Sequence, residues 1–264
     1  MSVSVTKHLC VSIPHGGISI PPEISPEDLS EDFEGIVNHN IDHFTQNLYD
    51  FTDLLGNRQI VFQYSPVLIN VNRHPDVLDD SAPIVVDGLR VYKEQYEPDV
   101  SLRRRLVKTY HRDYHNRLSR FTDKVLIIDG HSTYFGHKDL SGSIVTEDII
   151  VSNWQHSKYE IDGGFHTAPQ YYLDTYIENL QKRLPHLRIA ANTKYSSTYG
   201  HIMALHGWNG IGGRGGRAPL LLQETSENLY MNHGAPLFKE IEHLRRIFAE
   251  AIEATITTLS DLEH

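Results

Sequence analysis

The chain has one cysteine, Cys10, in 264 residues. A lone thiol makes no internal disulfide, so a disulfide-stapled fold is excluded and a cytoplasmic setting is expected. Cys10 lies inside an apolar run and reads as a buried core thiol rather than a nucleophile. No stretch approaches the roughly 18 apolar residues of a membrane span. The N-terminus, with Lys7 and His8 soon after polar residues, lacks the hydrophobic region of a signal peptide. An excess of positive charge is missing too: 24 Lys and Arg against 34 Asp and Glu leave a net charge of −10. That argues against a general nucleic-acid binder. The short cluster Arg103-Arg104-Arg105 reads as a solvated helix face. There is no Gly-x-Ser-x-Gly elbow, and Ser132 has no evident triad around it, so serine-hydrolase chemistry is not indicated.

What the chain has in abundance is histidine, 17 in all, so position must decide which of them matter. Apolar runs bounded by turn residues recur at Leu9 to Ile13, Ile60 to Tyr64, Val67 to Val71, Val125 to Ile128, Ile149 to Val151, Leu187 to Ala190 and Leu220 to Leu222. They predict buried strands. Helical spacing links Ile41, Phe44, Leu48 and Phe51. It also links Leu102, Leu106, Tyr110, Tyr114, Leu118 and Phe121. Tyr171 to Leu184 predicts a third helix, and the stripe from Leu237 to Leu259 a fourth, beginning after Pro236. Strands alternating with helices predict a single α/β domain over 1–264, with helices on both sheet faces. Two segments read as irregular: Arg73 to about Leu89, and the glycine-rich stretch from Lys194 to Ala218. The second lacks the strand–GxGxxG–helix context of a dinucleotide fingerprint and reads as a flexible surface loop.

Two motifs follow strands directly. Pro14-His15-Gly16-Gly17 follows the first run, and Asp129-Gly130-His131-Ser132 follows the fourth. Each reads as a strand that stops and presents a histidine in a turn. In an open α/β sheet the carboxyl ends of strands are where ligands bind, and two imidazoles placed there are two-thirds of a catalytic zinc site. The third ligand should be a carboxylate or another histidine. Asp42, at the start of the predicted helix, is the first candidate. His43 and Asp129 compete with it, and Asp129 can instead orient an imidazole from behind. Glu224 ends the last apolar run, where a buried carboxylate suits a general base. Asn72-Arg73 ends the Val67–Val71 run, and Arg73 offers a planar fork for a substrate carboxylate. Arg214 and Arg217, in the glycine-rich loop, can reach an anionic substrate. His111 and His115 lie one helical turn apart, a spacing that can bind metal, but no Glu follows the first as in HExxH. For His115 a structural or substrate-facing role is expected.

As an ordered set these motifs resemble the N-formylglutamate amidohydrolases. The resemblance rests on Pro14-His15-Gly16-Gly17, Asp42 ahead of Leu48-Tyr49, Asn72-Arg73-His74-Pro75, Tyr114-His115-Asn116-Arg117-Leu118, Asp129-Gly130-His131-Ser132, and Gln223-Glu224 followed by Leu229-Tyr230-Met231. Together these span about 14 to 231. The resemblance implies a three-layer α/β/α fold with a mixed central sheet, phosphorylase/hydrolase-like and akin to the zinc carboxypeptidases. It also implies one Zn2+ ion and hydrolysis of a small anionic N-acyl amino acid, N-formyl-L-glutamate first among them. Carried over, it makes His15, Asp42 and His131 the zinc ligands, Glu224 the general base and Arg73 the clamp on the substrate carboxylate. Asn72 and His115 join the substrate side, and Arg214 or Arg217 would pair with a second substrate carboxylate. Nucleic-acid and membrane partners are not expected. Two segments depart from the family pattern, Thr146 to Asn153 and Lys194 to His201, where substrate-contact loops are expected.

Overall fold

The computed structural model describes residues 9–121, 126–134, 144–156, 164–193, 200–209 and 218–262. Six of the seven apolar runs become strands of one six-stranded sheet, and the fourth does so from Leu126, since Val125 lies outside the described residues. The strands are β1 (Leu9–Ile13), β2 (Arg58–Val61), β3 (Leu126–Thr133), β4 (Ile149–Ser152), β5 (Ile189–Ala191) and β6 (Leu220–Ser226). Their order is β2-β1-β3-β6-β4-β5. The first four in that order run parallel, β4 is antiparallel to β6, and β5 is parallel to β4. The sheet is therefore mixed, as expected. The parallel carboxyl ends of β1, β3 and β6 come out together at one edge.

Helices cover both faces, so residues alternating along each strand feed two separate cores. One face packs Val11, Ile128 and Leu221 against Gln170–Arg183 and the long helix Phe238–Leu262, with Tyr172, Tyr176 and Phe248 as its large buried side chains. The other packs Cys10, Ile127 and Leu220 against Phe33–Asn40 and the helical run Val100–Phe121, with Leu106, Tyr114 and Leu118. Cys10 is fully buried, as expected. Among the described residues no helix is long and apolar enough to cross a membrane.

Several expectations are corrected. Val67–Val71 is buried but is not a strand. Pro66 opens a turn there, and the amides of Leu68 and Ile69 both reach Ser65 O at 3.0 Å. The helix predicted from Ile41 to Phe51 is broken: Phe44 takes a left-handed conformation with φ 57°, and only Thr45–Leu48 and Thr52–Leu55 are helical. Asp42 thus sits in a turn, not at the start of a helix. The motif at 129–132 does not terminate its strand either. It lies within β3, which runs two residues past His131. The helix Phe33–Asn40 was not anticipated, although Phe33, Ile36 and Val37 bury at helical spacing. The stretch from Arg73 to Leu89 holds a short helix, Leu78–Ser81, and a hairpin pairing Val85–Val86 with Leu89–Arg90. In the arginine cluster only Arg104 and Arg105 are exposed. Arg103 is buried and donates to Ala82 O at 2.8 Å and Asp79 Oδ1 at 2.6 Å. Arg214, Arg217 and most of the glycine-rich segment lie outside the described residues.

Gly17 shows what the first histidine motif demands of the backbone. A Cβ there would stand 2.3 Å from Phe62 O and from the carbonyl carbon of Gln63. Backbone cannot yield cheaply, so Gly17→Ala should cost about 1–3 kcal/mol as overpacking. Gly35, inside the helix Phe33–Asn40, faces open space, and Gly35→Ala should add about 0.5–1 kcal/mol through helix propensity. Urea denaturation midpoints moving in opposite directions for the two variants are the expected result.

Candidate functional site

The sheet register brings the predicted residues together. Ser12 pairs with Asp129, and His131 pairs with Glu224, on adjacent parallel strands. Paired positions share a face, and so do positions two apart on one strand. Ser12, Asp129, His131 and Glu224 therefore leave the sheet on the same side. His15 arrives from the bend after β1. Asp42 is brought to it by its own turn, whose amide donates to His15 O at 3.1 Å.

The side chains converge on a small volume. One ligand atom from each of His15, Asp42 and His131 lies within 4.8 Å of the others. His131 Nδ1 is 2.9 Å from Asp42 Oδ2, and His15 Nδ1 is 3.7 Å from the same oxygen. The far sides of both rings are occupied. His15 Nε2 faces Asn70 Oδ1 at 3.0 Å, which can only accept, so Nε2 carries the proton and Nδ1 presents a lone pair toward Asp42. His131 Nε2 faces Asp129 Oδ2 at 3.3 Å. Metal-binding histidines have their outer N–H held by a carbonyl or carboxylate in this way. Asp129 thus takes the orienting position behind His131. Its other oxygen accepts from Ser12 Oγ at 2.7 Å, and Tyr114 Oη reaches Ser12 Oγ at 2.7 Å. His43 points elsewhere, its Nε2 donating to Asn38 O at 2.9 Å, which leaves Asp42 as the third member.

The electrostatics suit a cation. Burial pushes His15 down to about 4, against the pull of Asp42, so its ring is neutral. Burial would do the same to His131, but Asp129 and Asp42 outweigh it and hold its proton well above the usual range. Two carboxylates facing one buried ring demand positive charge between them. Glu224 is the opposite case. Burial raises it to about 8, with His131 opposing and Asp42 and Asp129 adding to the shift. Its Oε2 is out of contact with solvent and has no hydrogen-bond partner among the described residues. A buried carboxylate oxygen without a partner is costly, and here it stands beside the convergent lone pairs.

Arg73 is close enough for its charge to depress His15. Asn72 is buried and engaged internally: its Oδ1 accepts from Ile202 N at 3.1 Å, and its Nδ2 is 3.5 Å from His131 Nε2. His115 is not brought into this group. It is buried with His111, His201 and His206, and its Nε2 donates to Val71 O at 2.8 Å. Sequence reasoning missed Asn70, the backing of Ser12 and Tyr114, and the place of Tyr49. The Tyr49 hydroxyl lies 2.9 Å from His131 O and 2.8 Å from Thr225 Oγ1, tying β3 to β6. Gly130 makes room for it, since a Cβ there would be 2.7 Å from the Tyr49 ring. Glycine at 130 and tyrosine at 49 are the signal that was available.

The family model described as N-formylglutamate amidohydrolase matches residues 8–231. In fold the chain is similar to the crystal structure of N-formylglutamate amidohydrolase from Ralstonia eutropha JMP134, with a TM-score of 0.67 and 17% identity over 94% of this chain and 92% of that one. It is also similar to the gene product Atu2144 from Agrobacterium tumefaciens, with a TM-score of 0.67 and 14% identity over 98% of this chain and 92% of that one. No curated protein matches the sequence.

The buried imidazoles set a pH dependence. Burial holds His206 at about 4, His201 at about 3 and His15 at about 4, and lowers His111 and His115 as well. An unfolded histidine takes a proton near pH 6.5. Their stabilisation is therefore complete above about 6.5 and is lost as pH falls towards the folded values. His131, shifted upward, contributes fully below 6.5, whereas the carboxyls of Glu224 and Glu227, raised by burial, oppose the loss by holding a proton in the folded state. Chelator-treated protein should lose stability as pH falls from 6.5 to 5, by at most about 1.4 kcal/mol per pH unit for each ring that no raised carboxyl offsets. Urea midpoints across that range check it, and a flat profile would show the rings to be solvated.

Proposed function

Because the chain belongs to the N-formylglutamate amidohydrolase family, we propose that it hydrolyses the amide bond of a small anionic N-acyl amino acid, N-formyl-L-glutamate, to formate and L-glutamate. In this reading His15, Asp42 and His131 hold a zinc ion and Glu224 is the general base. The observation that supports it most is the convergence of three ligand atoms within 4.8 Å beside a buried, unpartnered Glu224 oxygen. The donor set, two imidazoles and one carboxylate, is that of many catalytic zinc sites, which keep a fourth position open. Zinc bound there supplies the positive charge that acidifies water and stabilises a developing oxyanion.

The remaining chemistry belongs to the chain. The water oxygen adds to the carbonyl carbon, and its proton goes to Glu224. The carbon–nitrogen bond then breaks, and Glu224 returns the proton to the leaving amine nitrogen. A carboxyl raised by burial suits both halves, since it holds a proton near neutral pH and gives it up. Asp129 fixes the ring of His131, and Asn70 fixes that of His15. Arg73 holds the substrate α-carboxylate, and Arg214 or Arg217 pairs with the side-chain carboxylate. An acidic protein needs such local basic groups to accept a dianion. Asn72 and His115 serve as positioning residues, because their side chains are committed to His131, Ile202 and Val71.

Glu224→Gln should retain its metal, measured by elemental analysis, while kcat/KM on N-formyl-L-glutamate drops by about 10²–10⁴. Unchanged hydrolysis would remove Glu224 from the mechanism. His15→Ala and His131→Ala should each lose the ion, and full retention in both would refute the site. Arg73→Met should raise KM by about tenfold or more, as expected for losing a charged hydrogen bond worth about 1.5–3 kcal/mol. A parallel screen of N-acetyl and N-succinyl amino acids and a short peptide separates a deformylase from a broader deacylase or a peptidase.

A further inference from the structure

A second group of histidines lies outside the site described above. His111 closes the segment Val107–His111, which is wound as a π-helix between Val100–Leu106 and Arg112–Leu118. Such widened turns recur at functional positions. His115 follows one turn later on the same face. His201 opens the helix His201–His206 and packs against both, with ring centroids 5.4 Å from His111 and 5.0 Å from His115. One nitrogen from each of the three lies within 4.8 Å of the others. We propose that His111, His115 and His201 form a second metal site, for a late first-row divalent ion of the zinc, nickel or copper type.

The hydrogen bonds prepare the rings for this. His111 Nε2 donates to Arg73 O at 2.9 Å, and His115 Nε2 donates to Val71 O at 2.8 Å. A carbonyl can only accept, so the protons sit on Nε2 and each Nδ1 carries a lone pair. This again is the outer N–H anchoring of metal-bound imidazole. The His115 Nδ1 lone pair now accepts from His206 Nε2 at 2.8 Å. Nδ1 has one lone pair, so an ion on His115 would displace that N–H, and His206, with its proton moved to Nδ1, is placed to serve as a fourth ligand. Burial keeps all four rings neutral, the form that ligates.

The site has an entry. His111, His115 and His201 line a pocket of about 650 Å³ whose wall also carries Lys108, Arg104 and Asp76. A set of three neutral imidazoles has no carboxylate to favour magnesium or calcium, and imidazole suits zinc, copper and nickel. The carbonyls that anchor the rings belong to Val71 and Arg73, on either side of Asn72. An ion here would therefore brace the segment that carries Arg73 and contacts His131.

The test uses the full chain, stripped with chelator and titrated with Zn2+ alone. Elemental analysis after gel filtration should give about two ions per chain. His201→Gln and His111→Gln, each with circular dichroism matching the parent, should give about one. The His131→Ala protein should also keep about one, and His131→Ala combined with His201→Gln none. Co2+ bound to the His131→Ala protein should show a tetrahedral or five-coordinate visible spectrum that His201→Gln abolishes. One ion in the parent and none in His131→Ala would overturn this second site while leaving the first intact. One ion in the parent that persists in His131→Ala but is lost in His201→Gln would overturn the first instead. If His201→Gln does not fold, His111→Gln carries the same comparison. If both fold and the parent count is unaltered by either, the proposal fails.

Discussion

Four consecutive residues, Asn70 to Arg73, hold the functional region together. Asn70 Oδ1 takes the His15 N–H at 3.0 Å and the Asn72 amide at 3.0 Å. Val71 O and Arg73 O take the outer protons of His115 and His111. Asn72 O accepts from His201 N at 3.1 Å, while its side chain meets Ile202 and His131. The main-chain carbonyls of Val71, Asn72 and Arg73 are ones that a strand would have spent on its neighbours. The segment can serve because it is buried without being part of the sheet. Pro66 and the turn at Ser65 keep it out of the ladder, and the Asn70 amide goes instead to Ser81 O at 2.9 Å. Irregular backbone is costly to bury, and here the side chains of the site satisfy it.

A second constraint follows from the sheet register. Parallel pairing puts His131 beside Glu224 and Asp129 beside Ser12 on one face. Three carboxylates, Asp42, Asp129 and Glu224, are thereby confined to one buried region with a single imidazole between two of them. So many acidic groups in one buried place call for a counter-charge. Asp129 and Asp42 hold the proton on His131, and burial first, with the same two carboxylates adding to it, raises the proton affinity of Glu224. An ion at Asp42 relieves the same crowding more completely, which is the physical reason to read the cluster as a metal centre rather than a buried salt bridge.

Much of this was legible in the sequence, and the rest was hidden for identifiable reasons. The strands at Leu9, Leu126, Ile149 and Leu220 and the long C-terminal helix follow from periodicity, and the two histidine motifs follow from their place after apolar runs. The Val67–Val71 run misled because burial, not pairing, selects its apolar residues, and periodicity cannot distinguish the two. The helix drawn through Asp42 failed at Phe44, where a non-glycine residue at positive φ leaves no compositional trace. Asn70 and Ser12 could not be singled out, because hydrogen-bonding roles set by contacts across the fold have no local spacing. His115 was noticed for its spacing to His111 but given to the substrate, since nothing in the chain announces that His201 and His206 come to meet it.

The two histidine groups differ in charge, and that difference orders what they can do. The first pairs its imidazoles with Asp42 and stands next to Glu224, so an ion there keeps reduced net charge and has a proton acceptor at hand. The second has imidazoles alone as ligands, in a pocket whose wall carries Arg104, Lys108 and Asp76. Chemistry on an amide needs a base within reach of the attacking water. In the proposed mechanism Glu224 fills that place for the first group. An ion held by the second group would act through the backbone that its rings grip, Val71 and Arg73. Ion binding there and substrate binding at Arg73 would then be linked through one short segment, each favouring the arrangement that the other requires.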